Sequence, residues 1–351
     1  MPTFRSAVVT EVLSERPGLQ RLAVTMDDGR PARAYALTAL TGGAAVGDTV
    51  VCNTTAVDRG LGTGGWHVVH WNTSRTELRA PGPDHVMKLR YTSLQCDAGT
   101  SELEHPEAAD RPLGSTPVVV CTVHSQVALV ALGFAAVAPS RRLAYVMTDG
   151  AALPLVLSDL VARLAADGLL AGTVTAGHAF GGDLEAVTPA AGLGLAAHVL
   201  DADAVVVGMG PGVVGTGTAL GTTAVEAAGL LDTAARRGGQ PVLCVRASGA
   251  DARDRHRGIS HHVRTVVALS HCRPLVADTP AGVRALPGVR PHPAPSTPPA
   301  AQLMEAAGLA VTSMGRGPAD DPVFFDTAVA AGALAAALCG EGGPSAARAR
   351  A

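Results

Sequence analysis

The chain has 351 residues, 47% hydrophobic and 16% charged, with a formal net charge of -3. That composition supplies a large core for one big domain or two ordinary ones and excludes a disordered chain. The balance gives no electrostatic case for nucleic acid, and the apolar helices are interrupted by Gly, Pro, Asp or Arg before membrane-spanning length, so neither partner is expected.

Of the 27 basic residues only Lys88 is a lysine, a lone survivor of an arginine-biased composition. The cysteines at 52, 96, 121, 244, 272 and 339 show no CxxC spacing, which argues against a disulfide framework. The start, MPTFRSAVVTEV, lacks the basic end and apolar run of a signal peptide, so a cytoplasmic location is expected.

Residues 1–75 alternate short apolar runs (SAVVTEVL, QRLAVTM, ARAYALT, DTVVCNTT, WHVVHW) with Gly/Pro/Asp turns. This spacing predicts a small antiparallel β-barrel or sandwich of five or six strands. Residues 76–116 read as a connector or docking segment, in which Lys88 and Arg90 project from one face of a strand. There they either reach a ligand from the opposite domain or serve as surface ion-pair residues.

From residue 117 to 340 the pattern becomes α/β alternation and predicts a mostly parallel sheet. PVVVCTVHS reads as a strand, with Ser125 expected to cap the helix that follows it. Asp183 is expected to cap a helix over DLEAVTPAAGLGLAAHVL, and Ser260 one over HHVRTVVALSHC. The proline-rich stretch 281–300 reads as an irregular crossover, and a last helix is expected to stop at Gly340. A disordered tail is expected over 341–351.

The chemistry is expected between 201 and 265. A strand, DADAVVVG, feeds a loop carrying Gly208, Gly210, Gly212, Gly215, Thr216, Gly217 and Thr218. Glycines let backbone N–H groups approach an anion, and a helix N-terminus adds positive potential. The loop lacks the GK[ST] of a phosphate-binding P-loop. One strand later, RASGADARDRHRGISHH offers Arg246 and Arg253 as forked donors and His256, His261 and His262 as acid–base groups. The HxxxxHH spacing matches no established zinc signature, so no metal is assigned and the cofactor is left unknown. Asp183 and Glu185, on a third strand-end turn, are candidate proton partners, and Lys88 is a further candidate arriving from elsewhere.

The strings NTTAVDRGLGTGGWHVV, DHVMKLRYTSLQ, AFGGDLEAVTPAAGLGLAAHVLDADAVVVGMGPGVVGTGT and RASGADARDRHRGISHH together resemble a bacterial group, the domain-of-unknown-function family 3866. The resemblance runs from the β segment to about residue 270 and implies no activity. DADAVVVGMGPGVVGTGTALG is also faintly similar to a catalytic-subunit segment of glycine and sarcosine reductases. The selenocysteine or cysteine expected in that loop is absent, which argues against reductase chemistry.

The expectation is therefore a two-part chain, an N-terminal β domain followed by an α/β domain that binds a small anionic metabolite at strand C-terminal ends. Two functions fit: an enzyme using histidine acid–base chemistry, or a non-catalytic metabolite-binding regulator or interaction protein. A homo-oligomer is compatible with either.

Overall fold

The computed structural model describes residues 1–62 and 64–339; the expected helix stop at Gly340 and the tail 341–351 lie outside the described residues. The chain divides into two compact units at Gly99/Thr100, so the 76–116 segment contributes to both.

The first unit is a closed barrel of β1 (Phe4–Arg16), β2 (Leu19–Met26), β3 (Pro31–Leu37), β4 (Thr49–Asn53) and β5 (Trp66–Asn72), in the order β1-β2-β3-β5-β4. Short helices α1 (Thr38–Thr41) and α2 (Thr55–Asp58) join its later strands. Period-two alternation turns Leu22, Val24 and Met26 of β2 inward, where they meet Val9, Ala34, Val50 and Val69. Two register shifts bend the 13-residue β1, which pairs with β2 and β4 and closes the barrel. All pairs are antiparallel except β3 with β5, which is parallel. Strand count and connectivity are those of five-stranded Greek-key barrels of the OB type, an architecture that carries no function by itself. A pair of two-residue antiparallel strands, β6 (Met87–Lys88) with β7 (Cys96–Asp97), completes the unit.

The second unit is built on eight parallel strands. They are β8 (Pro117–Val120), β9 (Leu143–Thr148), β10 (Gly172–Ala176), β11 (Leu184–Ala186), β12 (Ala204–Met209), β13 (Gln240–Leu243), β16 (Leu275–Ala277) and β17 (Arg290–His292). Their order is β11-β10-β9-β12-β8-β13-β16-β17. A ribbon, β14 (Ala247–Ser248) with β15 (Gly258–Ile259), branches from the end of β13.

Both faces of the sheet are covered, as a parallel sheet of continuous Val/Ala/Leu strands requires. Val119, Tyr145 and Val206 face the layer of α4 (Gln126–Val137), α5 (Asp159–Ala166), α9 (Ala300–Ala306) and α10 (Pro322–Leu338). Val118, Val146, Val205 and Val207 face α3 (Pro106–Asp110), α6 (Pro189–His198), α7 (Glu226–Arg236) and α8 (His261–Leu269). In the first layer α4 and α10 touch backbone to backbone. A Cβ on Gly133 would stand 2.0 Å from the Val329 carbonyl oxygen, and one on Gly332 2.0 Å from that of Val130.

The crossovers β8–α4–β9 and β9–α5–β10 step toward one edge on the first face. Those through α6, α7 and α8 step the other way on the second face. Neighbouring strands β8 and β12 therefore send the chain to opposite faces. Their C-terminal ends form the switch point at which open α/β sheets leave a crevice.

Several local expectations are corrected. Asp183 caps no helix; α6 starts at Pro189, and Thr188 accepts its cap hydrogen bond from Ala191 N–H. The loop after β12 runs on to a 3-10 turn at Thr223–Val225 before α7, so the glycines do not open a helix N-terminus. The proline-rich stretch holds edge strand β17, tolerable there because Pro291 lacks only a donor that an edge leaves unused. Ser260 does cap α8, accepting from His262 N–H.

Candidate functional site

The crevice at the switch point is a cavity of about 290 Å³ walled by Val123, His124 and Ser125 after β8, Pro211–Val213 after β12, Arg246 after β13, and the segment 310–314. Ser125 takes the N-cap position of α4 but makes no side-chain cap bond. The expected capping role of Ser125 is therefore not realised; the neighbouring Gln126 carboxamide accepts from Thr122 and Val123 N–H, before the helix begins. His124 forms part of the crevice wall with both ring nitrogens engaged. Nδ1 lies 3.3 Å from the Met209 carbonyl oxygen, and Nε2 lies 2.7 Å from Ser158 Oγ. Burial lowers its pKa to about 4, so the ring is neutral at physiological pH.

Arg246 is 5% exposed, and its nearest carboxylate oxygen, Asp251 Oδ2, is 3.9 Å away. Asp251 is itself committed. It receives Arg253 Nε and Nη2 at 2.9 Å each, and Arg316 Nη2 at 3.1 Å. The Arg253 bonds hold its carboxyl well below the usual carboxylate range. Arg316 also approaches Asp321 at 3.4 Å, and Asp321 in turn anchors Ser248 Oγ and Gly249 N–H. Three guanidiniums thus surround one buried carboxylate, with Arg246 the least compensated. Burial lowers its pKa to about 10, which leaves it charged at neutral pH.

Behind Arg246 the β14–β15 ribbon folds the loop 249–257 back on itself, which returns His256 to the start of α8 beside His261 and His262. The rings converge, with centroids 4.9 Å (His256–His261), 4.9 Å (His256–His262) and 4.3 Å (His261–His262) apart. His256 Nδ1 is 2.8 Å from Ser260 Oγ, and His262 Nδ1 is 3.5 Å from Arg246 Nη1. Burial, then Arg246 and Arg253, draw His256 down to about 3; burial, His261 and Arg246 take His262 to about 4. His261 shifts the same way, through burial and Arg255.

The other predicted residues divide. Gly208 and Gly210 serve packing between backbones: a Cβ there would come within 2.9 Å of the Cys121 carbonyl oxygen and 2.5 Å of that of Ala152. Gly212, at φ +98 with open space around it, is the predicted glycine that lines the crevice. Gly215 pairs with Thr222 across an exposed hairpin, and the Arg255 guanidinium rests over Gly217. Thr216 and Thr218 spend their hydroxyls inside that hairpin, 3.0 Å from each other and on Gly221. They cap no helix.

Asp183 and Glu185 are not proton partners for the histidines. Asp183 Oδ2 takes Thr173 N–H and Oγ1 at the start of β10, and Glu185 takes Thr175 Oγ1 and Gly181 N–H. Their strand is five positions from β13 in the sheet, roughly 24 Å at ordinary strand spacing. Lys88 is buried on β6 of the first unit. Sequence reasoning missed Asp251, Arg316 and Asp321. Asp251 stands within the arginine-rich string itself, whereas Arg316 and Asp321 lie more than 60 residues on and reach the site through contacts no local pattern announces.

Among the described residues no helix is long and apolar enough to cross a membrane. No curated protein and no solved structure matches the chain. A family model described as a protein of unknown function (DUF3866) matches residues 33–332, and the chain, with its barrel and parallel-sheet units, belongs to that family.

Proposed function

We propose that the protein binds a small metabolite carrying a carboxylate or phosphate in the switch-point crevice, with Arg246 as the anion's partner, and acts on it as an enzyme. One observation carries the reading: a buried guanidinium lines the cavity while its nearest carboxylate is 3.9 Å away and already holds two closer arginines. A buried cation without a close counter-charge is costly, and an incoming oxyanion removes that cost through paired N–H donors. Besides Arg246, the polar residues His124, Ser125, Thr312 and Ser313 stand among apolar wall residues such as Leu160 and Val213, the usual make-up of a small-molecule pocket.

The imidazoles beyond Arg246, neutral at physiological pH, favour catalysis over simple capture. Neutral imidazoles beside a bound anion can either take up a proton or hold a metal that activates it, and His262, with Nδ1 3.5 Å from Arg246 Nη1, stands next to the guanidinium. The six free cysteines support a reducing, cytoplasmic setting.

The test is native mass spectrometry of the purified protein after incubation with a metabolite extract, alongside Arg246→Met. The reading expects a small anionic adduct on wild type that is lost in the variant. Conversion of the captured compound by wild type supports an enzyme; capture without conversion supports the non-catalytic regulator. An adduct retained by Arg246→Met refutes the site.

A further inference from the structure

We infer that His256, His261 and His262 form a three-histidine site for a divalent transition metal, set behind Arg246 and open to an oxyanion. The inference rests on the anion-site reading above only for what occupies the metal's open position. Its own support is geometric. One nitrogen from each ring lies within 4.8 Å of the other two. A tetrahedral ion bound at about 2.0–2.1 Å holds its nitrogens about 3.3 Å apart, so small side-chain rotations close the set.

The hydrogen bonds leave lone pairs where a metal needs them. Ser260 Oγ accepts His262 N–H and sits 2.8 Å from His256 Nδ1. With His256 Nδ1–H donating to this hydroxyl, Nε2 keeps its lone pair, the orienting device typical of metal-ligating histidines. A guanidinium can only donate, so His262 Nδ1, 3.5 Å from Arg246, also carries a lone pair, which a metal takes as Arg246 turns from this long contact toward Asp251 or a bound anion. His261 Nε2 is the independent observation. It is enclosed by protein and has no hydrogen-bond partner in a structure whose buried polar atoms are mostly satisfied. Stacked imidazoles alone leave that atom unexplained; coordination gives it a partner.

Three neutral nitrogen ligands with no fourth side chain leave an open position, as catalytic rather than structural sites do. The surrounding arginines oppose a bare cation, and two features counter them: Asp251 within the arginine cluster, and an anion shared between the metal and Arg246. The ligand class for the open position is therefore an oxyanion. Imidazole ligands suit zinc, cobalt, nickel, copper and iron better than calcium or magnesium.

The experiment uses tag-free full-length protein, stripped with a chelator and titrated with Co2+ while its visible absorption is followed. One Co2+ per chain with a four- or five-coordinate spectrum is expected. Binding should weaken by about 100-fold or more in His261→Ala and by about 10-fold in Ser260→Ala, whose hydroxyl orients His256 and caps the helix carrying His261 and His262 without itself being a ligand. His271→Ala, a highly exposed histidine on Asp232, should bind as wild type. His261 is only partly buried, so its variant is expected to fold, which circular dichroism checks. Absence of stoichiometric Co2+, or Co2+ binding unchanged in His261→Ala, overturns the inference. A parallel titration of the stripped protein with inorganic phosphate, with and without Arg246→Met, reads the anion site separately, so either proposal can fail alone.

Discussion

His124 provides a quantitative test of how the crevice is built. Its ring ties the end of β8 to the end of β12 through the Met209 carbonyl and to the start of α5 through Ser158. Burial lowers its pKa from 6.5 to about 4 in the folded protein. The unfolded chain therefore takes up the proton first. The stability contributed by the neutral ring is complete above pH 7 and falls as pH drops through 6.5 toward 4. The cost is about 1 kcal/mol at pH 5.5 and about 2–3 kcal/mol at pH 4.5, levelling off at about 3 kcal/mol at lower pH.

Other acid-sensitive groups, including His256 and Asp251, act equally in wild type and in His124→Gln, so the difference between the two proteins isolates His124. The variant should be less stable at pH 8 by about 1–2 kcal/mol for the lost hydrogen bonds. That gap should close, then reverse, by pH 4.5. Urea unfolding followed by helical circular dichroism is the assay, because both tryptophans, Trp66 and Trp71, lie in the first unit. A gap that stays constant across this pH range would refute the assignment of a buried neutral ring.

Two further perturbations test the scaffold and the charge cluster. Gly133→Ala places a methyl against the Val329 carbonyl at a separation no real contact allows, so α4 and α10 must part; a loss of about 2–4 kcal/mol in urea unfolding is expected, and an unchanged midpoint would contradict the close crossing. Asp251→Asn removes the one carboxylate shared by Arg246, Arg253 and Arg316 and should cost about 3–5 kcal/mol, shrinking in high salt as the exposed part of the repulsion is screened. A cost below about 1 kcal/mol would show that the arginines are compensated elsewhere.

The two-unit architecture was legible because local patterns report it: alternation in residues 1–75, and apolar strands alternating with helices after 117. The arginines and histidines of 246–262 were legible as a chemical cluster, and Ser260 as the cap of α8. What failed depended on distance in space. Asp183 and Glu185 stand beside a glycine turn much as the histidines do, but strand order puts them roughly 24 Å away. A period of two or 3.6 residues says nothing of strand order. The glycine loop misled for another reason: Gly208 and Gly210 are small because neighbouring backbones press on them, a demand that leaves the same signature as a ligand's close approach. Ser125, the obvious cap by position, makes no side-chain cap bond, and the Gln126 side chain beside it turns back to the N–H groups of Thr122 and Val123 at the end of the preceding strand.

Arg246 stands between the crevice and the histidines, and this position makes the two proposed sites interdependent. A cation on the three imidazoles faces Arg246 and Arg253, whose charges oppose it; an anion on Arg246 screens that repulsion and gains a second cation as partner. The two ligands should therefore bind with positive coupling, and linkage requires each to strengthen the other by the same factor. Between two such sites a coupling of about 1–3 kcal/mol is ordinary, or about 5- to 150-fold in affinity. Co2+ titrations at fixed inorganic phosphate, and phosphate titrations at fixed Co2+, should return that same factor. In Arg246→Met the repulsion and the anion's partner vanish together: Co2+ alone should bind tighter than to wild type, and the phosphate enhancement should shrink. Metal affinity that falls in this variant would mean that Arg246 supports the histidines structurally, and the electrostatic account of the coupling would have to be given up.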